Sequence, residues 1–483
     1  MTATKYHAAA AALTREEHAK RYLEHTRVAL PTAWALVVAF LLTIVAVPVV
    51  QHVVEIRANL RARQGEQAAT GAPPVGRVLP QSWDVFSLSL SAAQNKRLPT
   101  VAELKEYETG LEEGSTVSEW LLPRAQRLLT GALGAGNEQA YPGRNGWLHY
   151  RSDVDYVTGP GFLDPARLEQ RRRAGDASVD TIQPDPVRVL VRFHKQLAAR
   201  GIVLIVVPTP VKPMIEPETL SARYAALPNA VPLQNPSWPA FVQAMARENV
   251  RVFDPAPVLA DAKRRTGRPQ YLRTDTHWTP IALERVAGAL ADFITTQVPD
   301  IGARRRKGAS TAAAYLRRAA WQPVENMGDV ATMLKLSPAN LKQLVGPPER
   351  VRIRPIRTRS GGRWRPRRTA PMLLLGDSFS NIYSQSGMGW GEGAGLAEQL
   401  SLALNCPLDR IVINAGGSYT TRQRLRAELL GGKNRLAGKR VVVYQFAVRD
   451  LLAGDWKLLD LPPPPTALST AARPARFSEE REP

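Results

Sequence analysis

An aspartate and a histidine two positions apart, Asp275 and His277, and a serine about a hundred residues downstream, Ser378, have the side chains to do chemistry together. A serine hydroxyl is a weak nucleophile until a base takes its proton, and an imidazole base needs a carboxylate to fix its tautomer and orientation. Asp275-Thr276-His277-Trp278 supplies the carboxylate and the imidazole, and Leu375-Gly376-Asp377-Ser378-Phe379-Ser380 supplies the hydroxyl. The apolar run Met372-Leu373-Leu374-Leu375 predicts a buried strand ending in a tight Gly-Asp turn, with Ser378 opening a helix. A serine so placed lies beside backbone N–H groups able to stabilise an oxyanion. The pattern is that of a Ser-His-Asp acyl-transfer site.

Each motif is common by itself: Gly-Asp-Ser is a frequent turn, and most Asp-x-His pairs are surface polar residues. The histidine distribution sharpens the reading. From Arg97 onward the chain has three histidines, His149, His194 and His277. Only His277 has an acid two positions before it in a polar, turn-like setting. His194 falls in the helical-looking run Val189 to Leu197, and His149 in the short apolar segment Trp147 to Tyr150, where a structural role is expected.

The elements that must position these residues are predicted from periodicity. Short, mostly apolar runs at Val203 to Val207, Val250 to Phe253, Met372 to Leu375, Arg410 to Asn414 and Arg440 to Tyr444 read as strands. Helical patterns at Pro186 to Arg200 and Ile281 to Gln297 separate several of them. Two further helices are expected at Val101 to Leu111 and Val117 to Leu133. Alternating strands and helices argue for an α/β fold, with a parallel sheet flanked by helices on both faces. Ligands of open sheets of this kind sit beyond the carboxyl ends of strands, where Ser378 is placed.

Five segments also carry a family resemblance. Asn145-Gly-Trp-Leu-His-Tyr150, Asp153 to Leu163 (DVDYVTGPGFL), Val206 to Pro217 (VVPTPVKPMIEP), Thr274 to Pro280 (TDTHWTP) and Leu375 to Ser380 (LGDSFS) resemble the alginate O-acetyltransferase family, the AlgJ and AlgX group. The resemblance spans Arg97 to Leu452. It implies an SGNH-hydrolase-like fold in which Asp-x-His precedes the serine, as it does here. Two departures stand out: His149 replaces an expected aromatic, and Tyr444-Gln445-Phe446 stands where Trp-Glu-Phe is expected. No carbohydrate-binding domain is evident after Leu452, which favours the membrane-anchored AlgJ-like branch.

Other features are weaker. Asn414 and Gly416, at the end of another predicted strand, are candidates for the oxyanion site, as a second-strand element is in SGNH-type sites; a plain Gly-Gly turn is the alternative. Lys212 is a candidate contact for a sugar carboxylate, or an ordinary loop lysine. Gly387 to Gly395 (GMGWGEGAG) lacks dinucleotide spacing and reads better as a mobile active-site loop. No metal signature is present and no cofactor is expected.

The formal charge is +21, with basic clusters at Arg304 to Lys307 and from Arg350 to Arg368. Alternation over Arg350, Arg352 and Arg354 suggests one face of an exposed strand just before the nucleophile strand. Arg352 and Arg354 are therefore candidate contacts for an acidic substrate. Such a surface attracts polyanions. Nucleic acid is not expected, because no helix-turn-helix, zinc-finger or aromatic RNA-binding signature accompanies it. Simple solvation of an arginine-biased surface is the competing account. The single cysteine, Cys406, excludes an intrachain disulfide.

Val28 to Val50 carries no charge and is long enough to cross a hydrocarbon core of about 30 Å. It exceeds the ~7–15 residues of a signal-peptide core, and no clear A-x-A site follows it, so an N-terminal transmembrane signal anchor is expected over a cleaved leader. Lys5, Arg15, Lys20, Arg21 and Arg27 lie before it, against Arg57, Arg61 and Arg63 after it, a modest bias towards a cytoplasmic N-terminus. The expected organisation is a cytoplasmic segment (1–27), the anchor (28–50), a juxtamembrane linker (51–96), the catalytic domain (97–455) and a Pro-rich disordered tail (456–483).

The expected activity is transfer of acetyl groups, through an acetyl-serine, to hydroxyls of an exported, acidic, alginate-like polysaccharide. The resemblance implies the periplasmic face of a bacterial inner membrane and a membrane-bound O-acyltransferase partner as acetyl donor. Two alternatives are an SGNH-type esterase or deacetylase with water as acceptor, and a non-catalytic polysaccharide-binding or assembly protein.

Overall fold

The runs Val203–Thr209 (β1), Arg251–Val252 (β2), Met372–Gly376 (β3), Asp409–Val412 (β4) and Val441–Ala447 (β5) form one five-stranded sheet in the order β4-β3-β5-β1-β2. Every pairing in it is parallel. All residues of β3 and β5, and all but the first of β1, are buried. This is why these strands read as continuous apolar runs and show no alternation. The structure is a computed structural model that describes residues 30–70, isolated positions between 88 and 110, and residues 115–174, 183–224, 232–308 and 315–463.

Helices cover the sheet. Pro186–Ala198 starts with Pro186 at its first position, and the Asp185 carboxylate accepts the Val187 N–H at 2.9 Å. Both features are helix-start chemistry. It buries Val189, Leu190, Phe193 and Leu197, the three-to-four spacing of one face. Pro280–Gln297, capped by Thr279, buries Leu283, Val286, Ala287, Leu290, Ala291 and Ile294. Leu396–Leu404 packs against it.

The chain order places the central strand last. β1 leads outward to β2, β3 leads outward to β4, and β5 then enters between β1 and β3. The carboxyl ends of β1, β3 and β5, at Thr209, Gly376 and Ala447, are thereby brought side by side, as sites of this fold class require.

The chain divides into two units, Met1–Arg124 and Ala125–Pro483, and the sheet belongs to the second. The first contains the helix Leu30–Thr70. Among the described residues no helix is long and apolar enough to cross a membrane. Side chains 43–45, 47 and 48, within the stretch expected to do so, lie outside the described ones. The helix runs into the expected linker as far as Thr70, because residues 51–70 are rich in Ala, Arg, Gln and Glu and contain no proline. The basic residues before Val28, most of the expected helix Val101 to Leu111, and the tail beyond residue 463 lie outside the described residues.

Candidate active site

Asp275 and His277 sit in a tight loop. Tyr271 and Trp278 form an antiparallel bridge, and the Leu272 N–H donates to the His277 carbonyl at 3.0 Å. Within this loop His277 Nδ1 lies 2.7 Å from Asp275 Oδ1, which also accepts the His277 backbone N–H at 3.0 Å. The other carboxylate oxygen accepts the Asp329 N–H at 3.0 Å and the Trp390 indole N–H at 2.8 Å. Burial alone would raise the Asp275 pKa, but the His277 charge and these donors outweigh it and hold it at about 2. Burial likewise opposes a charged His277, yet the Asp275 charge and hydrogen bond, with Asp329, raise its pKa. With Nδ1 committed to Asp275, Nε2 is the basic nitrogen, and it is buried without a hydrogen-bond partner.

Ser378 opens the short helix Ser378–Asn381 directly beyond β3 and is half-buried. Its neighbour Phe379 packs against the His277 ring, centroids 4.7 Å apart, and edge-on against Trp278 at 5.4 Å. The Tyr383 hydroxyl donates to the Trp278 carbonyl at 2.6 Å. The serine's helix and the histidine's loop are thus locked together. His277 Nε2 and the Ser378 hydroxyl are not hydrogen-bonded in this structure; contacts of this kind often tighten only when substrate is bound.

A buried polar network fixes the turn before the serine. Asp377 Oδ1 accepts the Phe379 N–H at 2.9 Å and the Gln445 amide at 2.8 Å, while Oδ2 accepts the Ala447 N–H at 2.8 Å. Gln445 Oε1 in turn accepts the Asp377 N–H at 3.1 Å and the Ser380 hydroxyl at 2.6 Å, and Nε2 also donates to the Thr209 hydroxyl at 3.1 Å. The ends of β1, β3 and β5 are tied by these bonds. Phe379 and Ser380 donate their N–H groups to Asp377, so the Ser378 N–H is the one in this turn left for an oxyanion.

The remaining expectations fare unevenly. Asn414 is beside the serine's helix: its Oδ1 accepts from Asn381 at 2.9 Å, and its Nδ2 rests on the Met388 sulfur at 3.1 Å, a weak acceptor. Gly416 is not an available donor, because its N–H closes a turn onto the Ile413 carbonyl at 3.0 Å. The glycine required in this loop is Gly417, where a Cβ would come 2.7 Å from Asp450 Oδ2 and 2.8 Å from the Phe446 Cβ. Lys212 is also corrected. It is fully buried, with its ammonium on the carbonyls of Leu148 at 2.5 Å and Arg273 at 3.2 Å, so it is not the exposed loop lysine that a sugar carboxylate would meet. Burial, despite nearby carboxylates, lowers its pKa to about 8.

Arg352 lies on the exposed face of the strand Glu349–Ile353, as the alternation suggests, and Arg354 just beyond its end. That strand pairs antiparallel with Gln322–Asn326 in a separate two-stranded ribbon, not at an edge of the main sheet. Both guanidiniums stack over Trp321, at 5.6 and 4.6 Å. The glycine-rich segment Gly387 to Gly395 is anchored, not free, because it carries the fully buried Trp390 that binds Asp275. His149 is structural as expected: burial, with Lys212 nearby, lowers its pKa to about 3, and Nε2 meets the Thr219 hydroxyl at 3.2 Å.

Sequence reasoning missed four supporting residues. Asp329 accepts both the N–H and the hydroxyl of Thr276, and its Oδ2 is 3.7 Å from His277 Nδ1. Gly328 (φ 86°) permits this approach, since a Cβ there would lie 2.5 Å from the Thr274 carbonyl oxygen. Trp390 is the second. Arg449 and Asp153 form a buried ion pair at 2.8 Å, with the guanidinium 5.7 Å from the Phe379 ring. Asp153 stands at the head of a segment already quoted for its resemblance, and Trp390 lies inside the glycine-rich segment Gly387 to Gly395; Asp329 and Arg449 had no local signal. The carboxylates of Asp275 and Asp329 and the His277 imidazole cluster closely enough to suggest a cation site. Four donors already occupy Asp275, and Thr276 and Val330 occupy Asp329, so the cluster is a hydrogen-bond network.

Residues 141–421 match the family described as "SGNH hydrolase-like domain, acetyltransferase AlgX". The chain belongs to this family. The match contains Asp275, His277 and Ser378 and ends just after the Asn414 loop. Among solved structures, the chain is similar to the O-acetyltransferase domain of Pseudomonas putida AlgJ, at 19% identity over 65% of this chain and 93% of that one, TM-score 0.45. It is similar to Pseudomonas aeruginosa AlgX at 17% identity over 65% and 67%, TM-score 0.42. Bacillus cereus PatB1 shares 10% identity over 65% and 97%, TM-score 0.34. A comparison with curated protein sequences finds no match.

Proposed function

We propose that this chain is a membrane-anchored O-acetyltransferase that acetylates hydroxyls of an exported, acidic, alginate-type polysaccharide. The observation that carries the reading is the state of His277. Its Nδ1 is locked on an ionised carboxylate, its Nε2 is unpartnered, and its ring rests on the residue that follows Ser378. Ser378 Oγ attacks the acetyl carbonyl as His277 Nε2 takes the hydroxyl proton, and the oxyanion forms near the Ser378 N–H. Collapse breaks the bond to the donor's leaving group, which receives that proton, and leaves acetyl-Ser378. A sugar hydroxyl then gives its proton to His277 and attacks the ester. Expulsion of the serine oxygen, reprotonated by the imidazolium, completes a transfer with no change of oxidation state.

The anchor and the partner belong to the same proposal. The helix Leu30–Thr70 exposes Leu30, Trp34, Leu36, Phe40, Leu41 and Leu42, a run of large apolar side chains suited to lipid. A single span cannot carry acetyl groups from a cytoplasmic donor, so a multi-span O-acyltransferase is the fitting source, with the catalytic unit on the periplasmic side of the inner membrane. The test is mass spectrometry of protein and sugar after incubation with an artificial acetyl ester and a uronate oligosaccharide. An acetyl adduct on Ser378 and acetylated sugar are expected, both lost in Ser378→Ala and His277→Ala. Fast acetate release with no modified sugar would make water the acceptor and the protein an esterase; activity retained in Ser378→Ala would remove the mechanism.

A further inference from the structure

A cavity of about 770 Å³ is lined by residues that precede and follow the loop carrying Asp275 and His277. Its walls include Trp147, Tyr271, Trp321, Arg268, Arg285 and Arg352, and neither His277 nor Ser378 lines it. The volume falls within the range of about 300–1,000 Å³ typical of small-molecule sites, enough for a few sugar units.

The lining has a specific chemistry. Trp321 is 37% exposed and Trp147 half-buried, so both indoles offer surface to a ligand. Indole faces are electron-rich and apolar, and suit the C–H face of a pyranose ring. Arg268, Arg285 and Arg352 make no ion pair with a carboxylate among the described residues, and Arg352 is held over Trp321. The carboxylate in the wall, Glu349, is engaged with the Arg273 N–H at 2.8 Å. Arg273 is itself committed to the carbonyls of Gly146, Val345 and Pro347. Three open guanidiniums therefore face one engaged carboxylate, and the cavity favours an anion.

We propose that this cavity is a binding subsite for uronate units of an acidic polysaccharide, with rings on Trp321 and Trp147 and carboxylates on Arg285, Arg352 and Arg268. Planar guanidinium pairs with carboxylate through two parallel hydrogen bonds, which selects uronate over neutral sugar. The inference rests on the acceptor named under the proposed function and deepens it. Residues 268–271, 273 and 279–281 line the cavity and flank Asp275 and His277 in sequence, so polymer held here lies next to the catalytic loop without covering Ser378. Contacts to units that do not react can hold the reacting one in place.

Calorimetric titration of the full chain with a uronate hexasaccharide prepared from alginate, and with a neutral hexasaccharide, tests the site. Trp321→Ala and Arg285→Ala should each weaken uronate binding roughly tenfold or more. Arg440→Ala removes an exposed arginine elsewhere and should leave affinity within about twofold. The neutral sugar should bind much more weakly throughout, and melting temperatures should confirm that the variants are folded. Unchanged affinity in both cavity variants overturns the subsite, as does an equal loss in Arg440→Ala, equal binding of the neutral sugar, or no uronate binding by the wild type. The two readings separate cleanly. Lost binding in the cavity variants, with no sugar acetylated by the wild type, keeps the subsite and removes the transferase; acetylated uronate with unaltered cavity variants does the reverse.

Discussion

Trp390 donates its indole N–H to Asp275 Oδ2 at 2.8 Å across 115 positions of sequence. The carboxylate that orients the His277 imidazole is thus held by a residue of the glycine-rich segment as well as by its own loop. Trp390→Phe keeps an aromatic ring and removes the donor. The expected outcome is a stability loss of about 1–2 kcal/mol in urea unfolding and a roughly tenfold fall in kcat/KM on an acetyl ester. Unaltered kinetics would mean that the indole only fills space.

The pH profile follows from His277. A general base must be neutral, so kcat/KM should rise with pH through a pKa raised above the ordinary ~6.5. Asp275→Asn removes the charge that raises it, so the acidic limb should move to lower pH while the plateau falls by about 10⁴. An acidic limb that stays in place would assign it to another group. Stability carries the opposite sign for the histidine: the charged pair contributes below ~6.5, and the contribution is lost as pH rises through the raised pKa. Asp275, held at about 2, contributes above ~3.9 and loses that contribution as pH falls towards about 2.

Gln445 donates to Asp377 Oδ1 at 2.8 Å and is wholly buried. Gln445→Glu exchanges that donor for a second carboxyl group beside Asp377. An ionised pair there is repulsive, so the new carboxyl should hold a raised pKa and the variant should lose stability as pH rises above ~4.3. Thermal melts at pH 5 and pH 8 should show the larger deficit at pH 8. Equal deficits would place the cost in packing.

Arg449 and Asp153 pair at 2.8 Å beneath Tyr150 and Phe379. Burial opposes the guanidinium charge, but Asp153, Asp450 and Asp377 keep its pKa raised. Asp153→Ala leaves that charge without its ion-pair partner and should cost about 3–5 kcal/mol in chemical denaturation. A second substitution, Arg449→Met, should recover much of the loss by removing the orphaned charge. No recovery would show that the pair matters through shape alone.

The sequence by itself determined the sheet, because buried parallel strands must be apolar on both faces and so write runs such as Val203–Thr209 and Val441–Ala447 into the chain. It also determined the Asp275–His277 couple, whose partners are two residues apart, and the position of Ser378 at a strand end. Only the tertiary structure decided what surrounds them. Asp329 reaches Asp275 across 54 positions, and Arg449 reaches Asp153 across 296. Neither contact leaves a periodic trace in the sequence. The same limit explains the corrections: Lys212 and Gly416 have residue types suited to a ligand, yet their donors are taken by carbonyls brought near by folding. A residue type states which bonds a group can make, and the fold decides which of those bonds are already made.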